Sequence, residues 1–109
     1  MAIKANLLID QGSDFSTEID VLDDNGDPVI LTGFTGAAQM RKHYTSSTST
    51  AFNVSINASE GTVTLSMNAA TSSTVTPGRY VYDCELTSSS NVVSRLVEGI
   101  VTVTPQVTR

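Results

Sequence analysis

The sequence predicts an all-β sandwich of about seven antiparallel strands. Apolar and polar residues alternate with period two over most of the chain, which is the pattern of half-buried strands. Turn residues (glycine, proline and asparagine) separate the alternating runs at the spacing expected of a sandwich. No stretch has a helical period of useful length, and at most one short helical turn is expected near residues 69–75. At 109 residues the chain is large enough for one core, so residues 1–109 are predicted to form a single domain.

The strand after Pro77-Gly78 organises the chain. It alternates strictly, so one face carries Tyr80, Tyr82, Cys84 and Leu86. We therefore expect this strand to lie at the centre of a sheet and these four residues to be core residues.

Earlier strands follow the same alternation. A first strand is predicted over residues 3–9, with Leu8 on its polar side, and a second over 15–21, with Phe15 and Ile19 in the core. A strong turn signal at 23–28 follows, because Asn-Gly tolerates positive φ and proline donates no ladder bond. Residues 29–31 predict a short strand or edge piece, residues 34–41 a further strand, and residues 43–51 a polar loop.

The second half predicts a hairpin over residues 52–57 and 62–67 and a long last strand over 92–104. The apolar alternation of that last strand is out of phase, because Leu96 and Ile100 fall on one face and Val97 and Val101 on the other. Either Gly99 marks a bulge, or a neighbouring subunit covers the second face. The second alternative makes Leu96, Ile100 and Leu8 the candidate subunit interface.

Charge and composition restrict the partners. The formal net charge is −5 with scattered basic residues, so neither nucleic acid nor an anionic membrane is expected. Residues 1–10 carry one lysine and an apolar run too short for a signal peptide, which predicts folding in the cytoplasm of a cell. The single Cys84 cannot form an intrachain disulfide.

Few residues suggest chemistry. His43, the only histidine, precedes a Ser/Thr-rich loop that would not hold it in a catalytic site. We therefore predict no enzymatic activity, no catalytic or metal-ligating residue and no cofactor. The acidic turn from Asp23 to Asp27 is predicted to be a tight hairpin turn. A calcium site there is the alternative, although an EF-hand loop with Gly26 at its sixth position would begin at Val21, which has no ligating oxygen.

The segment from Gly78 to Tyr82 has the spacing of a tyrosine corner, with Tyr82 where immunoglobulin domains place their second cysteine. We expect both tyrosine hydroxyls to bond backbone groups; a binding role for the rings is the alternative.

The order of signals resembles the immunoglobulin-like N-terminal domain of phage baseplate upper proteins and related small virion proteins of tailed phages. The matching segments, which together span nearly the whole chain, are residues 23–28, 31–33, 40–42, 60–65, 77–83 and 97–103. The resemblance implies an immunoglobulin-like antiparallel sandwich. It also implies a virion structural protein, made in the host cytoplasm, that contacts copies of itself or other virion proteins in a symmetric assembly. The baseplate proteins carry long C-terminal regions that hold fibres, and no fibre-holding role is expected of residues 1–109.

The leading hypothesis is therefore a non-enzymatic assembly module in the tail or baseplate of a tailed phage. A capsid decoration protein of the same fold is the second hypothesis. A carbohydrate-binding surface module is the third, because such modules present exposed aromatic rings. Its candidate rings are Phe34, Tyr44 and Phe52.

Overall fold

The computed structural model describes residues 3–23 and 25–108. Strands dominate this part of the chain, as the alternating pattern predicts. In chain order the elements are β1 (Ile3–Lys4), β2 (Leu7–Asp10), β3 (Phe15–Asp20), β4 (Thr35–Arg41), β5 (Thr50–Asn57), β6 (Thr62–Met67), α1 (Ala69–Ser72), β7 (Gly78–Thr87) and β8 (Val93–Thr104).

The strands form one hydrogen-bonded sheet that curls into two layers. The strand order is β1-β8-β7-β4-β5-β6-β3, with β2 also paired to β8. Strand β5 joins the layers, because its first residues pair with β4 and its later residues, from Asn53 to Asn57, pair with β6. The predicted all-β, sandwich-like fold is thereby confirmed, and β7 lies between β4 and β8 inside the sheet, as expected.

One feature of the sheet differs from a wholly antiparallel sandwich. Strands β1 and β2 run parallel to β8. Leu7 lies opposite Val101, and Ile9 lies opposite Val103. The parallel register thus turns the apolar side of β2 to the same side as that of β8, where Ile9 is 1% exposed.

The core lies between the two layers and is mostly aliphatic. Three aromatic rings lie side by side across the core. The centroid of the Phe52 ring lies 6.2 Å from that of Phe15 and 6.1 Å from that of Tyr82. The largest fully buried apolar side chains are Ile9, Leu31, Met40, Leu65, Met67, Val63, Val97 and Val101.

Helix α1 is the predicted helical turn. The Asn68 side chain caps it by accepting from the Thr71 backbone N–H at 2.8 Å. Asp14 accepts from the first helical N–H, of Ala69, at 2.7 Å. This helix has four residues, so no helical segment in the described part of the chain has the length or hydropathy to cross a bilayer.

The predicted strand over residues 29–31 is wrong. This segment contains no strand, and only an isolated bridge joins Leu22 to Pro28. Val29 donates one backbone hydrogen bond to Val21, but the proline beside it has no N–H with which to extend a ladder. The segment is thus a coil that closes the acidic turn.

The predicted bulge at Gly99 is also misplaced. The register between β7 and β8 shifts between Cys84 and Glu85, where Leu96 is the extra residue of β8. Gly99 has a different role, because a Cβ there would lie 2.1 Å from the backbone oxygen of Ala5. The backbone between β1 and β2 passes directly over Gly99, so there is no room for a side chain at this position.

The bulge also corrects the interface prediction for Leu96. Strict alternation placed this side chain on the face opposite Val97, but an extra residue lets two successive side chains turn inward. Leu96 is 8% exposed and Val97 1% exposed. Leu96 is therefore a core residue of the chain and offers little surface to a neighbouring subunit.

Candidate interaction surface

The layer formed by β2, β8, β7 and β4 has an outer face that no other described element covers. Alternation determines which side chains lie on it, since Tyr82, Cys84 and Val101 point into the core. The outer residues are Leu8 and Asp10 on β2, Glu98, Ile100 and Thr102 on β8, Arg79, Val81, Asp83 and Glu85 on β7, and Ala37, Gln39 and Arg41 on β4.

Three aliphatic side chains cross this face, and we call them the apolar strip: Leu8, Val81 and Ile100. Val81 lies opposite Ile100 in the β7–β8 ladder, and Leu8 lies opposite Thr102, the next outer residue of β8. Leu8 is 60% and Ile100 41% exposed, and Val81 is half-buried. Two of the three residues predicted as an interface thus share one open face.

Cations flank the apolar strip on the side of β7 and β4. Arg41 lies opposite Val81, and Arg79 lies opposite Thr102. The Arg41 guanidinium donates to the backbone oxygen of Ser46 at 2.7 Å and to the Gln39 side chain at 3.1 Å. These bonds hold Arg41 against the loop after β4, whereas Arg79 has no ion-pair partner among the described residues.

A shallow groove of about 240 Å³ lies beside the strip and is lined mostly by residues with polar side chains. Arg95 spans it, with its guanidinium 3.4 Å from the Asp83 carboxylate and 3.6 Å from the Glu98 carboxylate. Solvent reaches these groups, so each pair contributes little to stability. Tyr44, at 86% exposure, stands at the rim.

Another groove, of about 320 Å³, lies on the other side of Arg95, which lines both grooves. Its lining is largely apolar and includes Leu22, Val29, Phe34, Leu86 and Leu96. Strand β7 also borders both grooves, because Val81 lines the first and Leu86 the second.

The predicted core residues lie inside or at the border of the core. Tyr82, Cys84 and Leu86 are buried, whereas Tyr80, Phe15 and Ile19 are half-buried and pack against the core. Both tyrosine hydroxyls bond backbone groups. Tyr80 donates to the oxygen of Thr76, four residues earlier, at 2.5 Å, and Tyr82 donates to the oxygen of Ala5 at 2.6 Å.

Burial governs the protonation of two of these side chains. It raises the pKa of the Cys84 thiol to about 11, and the Asp83 and Glu85 carboxylates add to the increase. Burial also raises the pKa of Tyr82 to about 12, with Cys84 as the smaller cause. A thiol that is fully buried and protonated is a packing group rather than a nucleophile.

The remaining sequence candidates do not converge on one site. His43 is exposed, and its backbone N–H donates to the Ser46 hydroxyl. One carboxylate oxygen of Asp23 accepts from the N–H groups of Asn25 and Asp27, which closes the acidic turn. Within residues 3–23 and 25–108, no three His, Cys, Asp or Glu side chains are grouped so that they could hold a metal ion.

The aromatic rings that could bind a sugar are also dispersed. Tyr44 is exposed, Phe34 is half-buried and Phe52 is 5% exposed in the core. An aromatic platform needs adjacent exposed rings, so only Tyr44 remains available on the described surface.

Sequence reasoning missed Val81 and Arg79 as surface residues of interest. Strict alternation puts both on the face of their strand opposite Tyr80 and Tyr82, but it does not place that face beside Leu8 and Ile100. The parallel pairing of β2 with β8 brings them together, and a parallel contact between the two chain ends has no local sequence signal.

Comparison with known proteins supports the fold only. No protein-family model matches the chain, and no curated protein matches it. Among solved structures, the chain is similar to an internalin-like protein of Listeria monocytogenes, with a TM-score of 0.50 and 13% sequence identity. The match covers 94% of this chain and 28% of that protein. At this identity the likeness concerns the sandwich architecture.

Proposed function

We propose that the chain is a non-enzymatic assembly module of a tailed-phage virion, located in the tail or baseplate. The observation that carries the proposal is the apolar strip on an open sheet face. Leu8 and Ile100 are large aliphatic side chains on strands, where exposed positions are normally polar. Contiguous exposed apolar side chains rimmed by polar ones are typical of protein–protein contacts.

The resemblance to small phage virion proteins supports the proposed location in a phage particle. Its segments include the acidic turn, the β5–β6 hairpin turn, the start of β7 and the second half of β8. All of them belong to the sandwich itself, so the proposed role depends on the folded domain. The partners are other copies of the chain or other virion proteins.

A capsid decoration protein would use the same surface and differ in location. A carbohydrate-binding role has one observation in its favour, the exposed ring of Tyr44 beside the polar groove. It ranks lower, because no second ring joins Tyr44 on the described surface.

The experiment is incorporation into particles. Phage that encodes the chain is grown with wild-type protein, with a strip variant carrying Leu8→Lys and Ile100→Lys, or with a control variant carrying Ser55→Lys. Ser55 is exposed on β5, in the other layer. Purified particles are analysed by quantitative mass spectrometry, and gold-labelled antibody locates the chain.

The proposal predicts that wild-type and Ser55→Lys chains are present at the tail and that the strip variant is lost from the particle. Label over the head would instead support a role as a capsid decoration protein. Absence of the wild-type chain from purified particles would overturn the virion role.

A further inference from the structure

An open cavity of about 340 Å³ lies at the end of the sandwich where β4 ends and β5 and β7 begin. The loop after β4 and the connection from α1 to β7 form its two walls. Among the described residues, its lining consists of Met40, Arg41, Lys42, Thr48, Ser49, Thr50, Thr74, Val75, Thr76 and Tyr80. Two of these are cations and none is a carboxylate, although the formal net charge of the chain is −5. The buried side chains of Met40 and Val75 give the cavity an apolar base.

The ammonium group of Lys42 is the cation that a ligand could reach. It lies 5.1 Å from the centre of the Tyr80 ring, which is a cation–π contact, and no carboxylate of the described chain pairs with it. Gly78 leaves room for it, because a Cβ there would lie 2.9 Å from the Lys42 Nζ. The Arg41 guanidinium is instead engaged by the loop after β4 and by β4 itself. The cavity thus holds a positioned positive charge without an acidic partner.

Hydroxyl side chains make up the rest of the lining. Those of Thr48, Ser49, Thr50 and Thr76 form no hydrogen bond with another residue that the structure describes. Each hydroxyl can both donate and accept a hydrogen bond. These four groups can therefore bond either the hydroxyls or the anionic oxygens of a ligand.

Hydrogen bonds tie both walls of the cavity to the sandwich. In the loop wall, the backbone oxygen of Ser46 accepts from the Arg41 guanidinium at 2.7 Å. In the opposite wall, the backbone oxygen of Val75 accepts from the side chain of Gln11, the residue after β2, at 3.0 Å. The walls are therefore in place before a ligand binds, which reduces the ordering entropy that binding costs.

We propose that this cavity binds a small organic anion that carries hydroxyl groups, of the size and chemistry of a sugar phosphate or a sugar acid. The anionic group contacts the Lys42 ammonium, the ligand hydroxyls bond the threonine and serine hydroxyls, and the body of the ligand lies over Met40 and Val75. Ligand sites range upward from about 300 Å³, so this cavity suits one sugar unit rather than several. No residue of the apolar strip lines it, so the inference goes beyond the proposed assembly function and does not rest on it.

The test is an NMR titration of the isotope-labelled chain, at low ionic strength, with glucose-6-phosphate, ribose-5-phosphate and glucuronate. We expect amide shift changes confined to residues 40–50 and 74–80 with at least one of these sugar anions. Lys42→Gln should weaken that binding by about tenfold or more, because the charge-assisted contact is lost.

Arg79→Gln is the matched control. It removes the same charge from an exposed side chain of β7 that does not line the cavity. Binding should weaken by about twofold at most, through long-range electrostatics alone. Equal weakening by Lys42→Gln and Arg79→Gln would show a diffuse charge effect rather than a site and would overturn the proposal.

A double variant, Thr48→Val with Thr50→Val, tests the hydroxyl groups. Valine keeps the shape of threonine and removes the hydroxyl, and circular dichroism verifies that the variants fold. Binding of the sugar anion should weaken by about fivefold or more, whereas inorganic phosphate should be unaffected. Unchanged binding of the sugar anion would contradict a role for these hydroxyls and overturn the ligand class.

The titrations with wild-type chain give two further outcomes that would overturn the proposal. Absence of shift changes at the cavity with all three sugar anions would show that it is not a site for them. Inorganic phosphate bound as tightly as each sugar anion would show that the cavity recognises charge alone. Particle incorporation depends on the apolar strip, so the virion role and this ligand site can fail independently of each other.

Discussion

The hydroxyl of Tyr82 donates a 2.6 Å hydrogen bond to the backbone oxygen of Ala5, 77 residues away in the sequence. Ala5 lies at the break between β1 and β2, and its own N–H donates to the oxygen of Glu98 at 2.9 Å. The core strand β7 thus fixes the position of the N-terminal strands on β8. Since β2 supplies Leu8 to the apolar strip, this bond also helps to shape the proposed contact surface.

Replacing Tyr82→Phe removes that bond and leaves the ring in place. We expect a loss of about 1 kcal/mol in the free energy of unfolding, because the Ala5 oxygen loses a partner. Hydrogen exchange of residues 3–10 should accelerate as well. Tyr44→Phe is the matched control, since its hydroxyl stands at the exposed rim of the groove, and denaturant titration should show no change. Equal stability of the Tyr82→Phe and wild-type chains would show that the bond does not anchor the strands.

Gly99→Ala should loosen the same region more severely. The new Cβ would lie 2.1 Å from the oxygen of Ala5, so backbone must move. We expect a loss of about 2 kcal/mol, within the range for overpacked sites, and weaker protection of β1 and β2 in hydrogen exchange. Gly36→Ala is the comparison, because its nearest contact is the side-chain methyl of Val54 at 2.7 Å. We expect Gly36→Ala to lower the free energy of unfolding by less than Gly99→Ala does, and any other result would contradict the backbone constraint on Gly99.

The bulge at Leu96 predicts that lysine substitutions at Leu96 and Ile100, four residues apart on β8, change the stability of the fold to very different extents. Leu96→Lys buries a charge in the core and should unfold the chain or cost about 3 kcal/mol or more. Ile100→Lys changes an exposed side chain and should alter stability by about 0.5 kcal/mol or less, while abolishing assembly. Thermal unfolding of both variants checks this. Similar losses in both would place Leu96 and Ile100 on one face again.

Alkaline pH should destabilise the fold in a defined window. The folded state raises the pKa of Cys84 from 9.0 to about 11 and that of Tyr82 from 10.0 to about 12. The unfolded chain therefore loses these protons first, and stability falls from pH 9 toward pH 12, with no contribution from either group below pH 9. Cys84→Ala should remove the part of the decrease that begins near pH 9. Denaturant titration at intervals of pH tests this, and an unchanged profile in the variant would contradict it.

The Asp23 carboxylate closes the acidic turn by accepting two backbone hydrogen bonds. Asp23→Ala should cost about 1 kcal/mol, because the N–H groups of Asn25 and Asp27 lose their acceptor. Millimolar calcium should shift the melting temperature of neither the wild-type nor the variant chain. A calcium-dependent increase confined to the wild type would support the calcium site that the sequence leaves as an alternative.

Period-two alternation was sufficient to predict most of the strands, the hairpin and the inward side of β7, because those features depend on local pattern; it was wrong over residues 29–31, which form no strand. It could not place Leu96, since the extra residue is defined only by the register between β7 and β8. It could not explain Gly99 either, because the constraint comes from Ala5, far away in sequence. The candidate surface also depends on contacts between residues far apart in the sequence. The sequence identified Leu8 and Ile100 one at a time, and only the parallel pairing of β2 with β8 places them beside Val81 in one strip.

Cryo-electron microscopy of the intact particle, at a resolution that shows side chains, tests the central claim most directly. We expect ordered copies around the tail or baseplate, with Leu8, Val81 and Ile100 covered by a neighbouring protein surface. Copies whose strip faces solvent would contradict the assigned contact surface, and a particle without the chain would contradict the virion role.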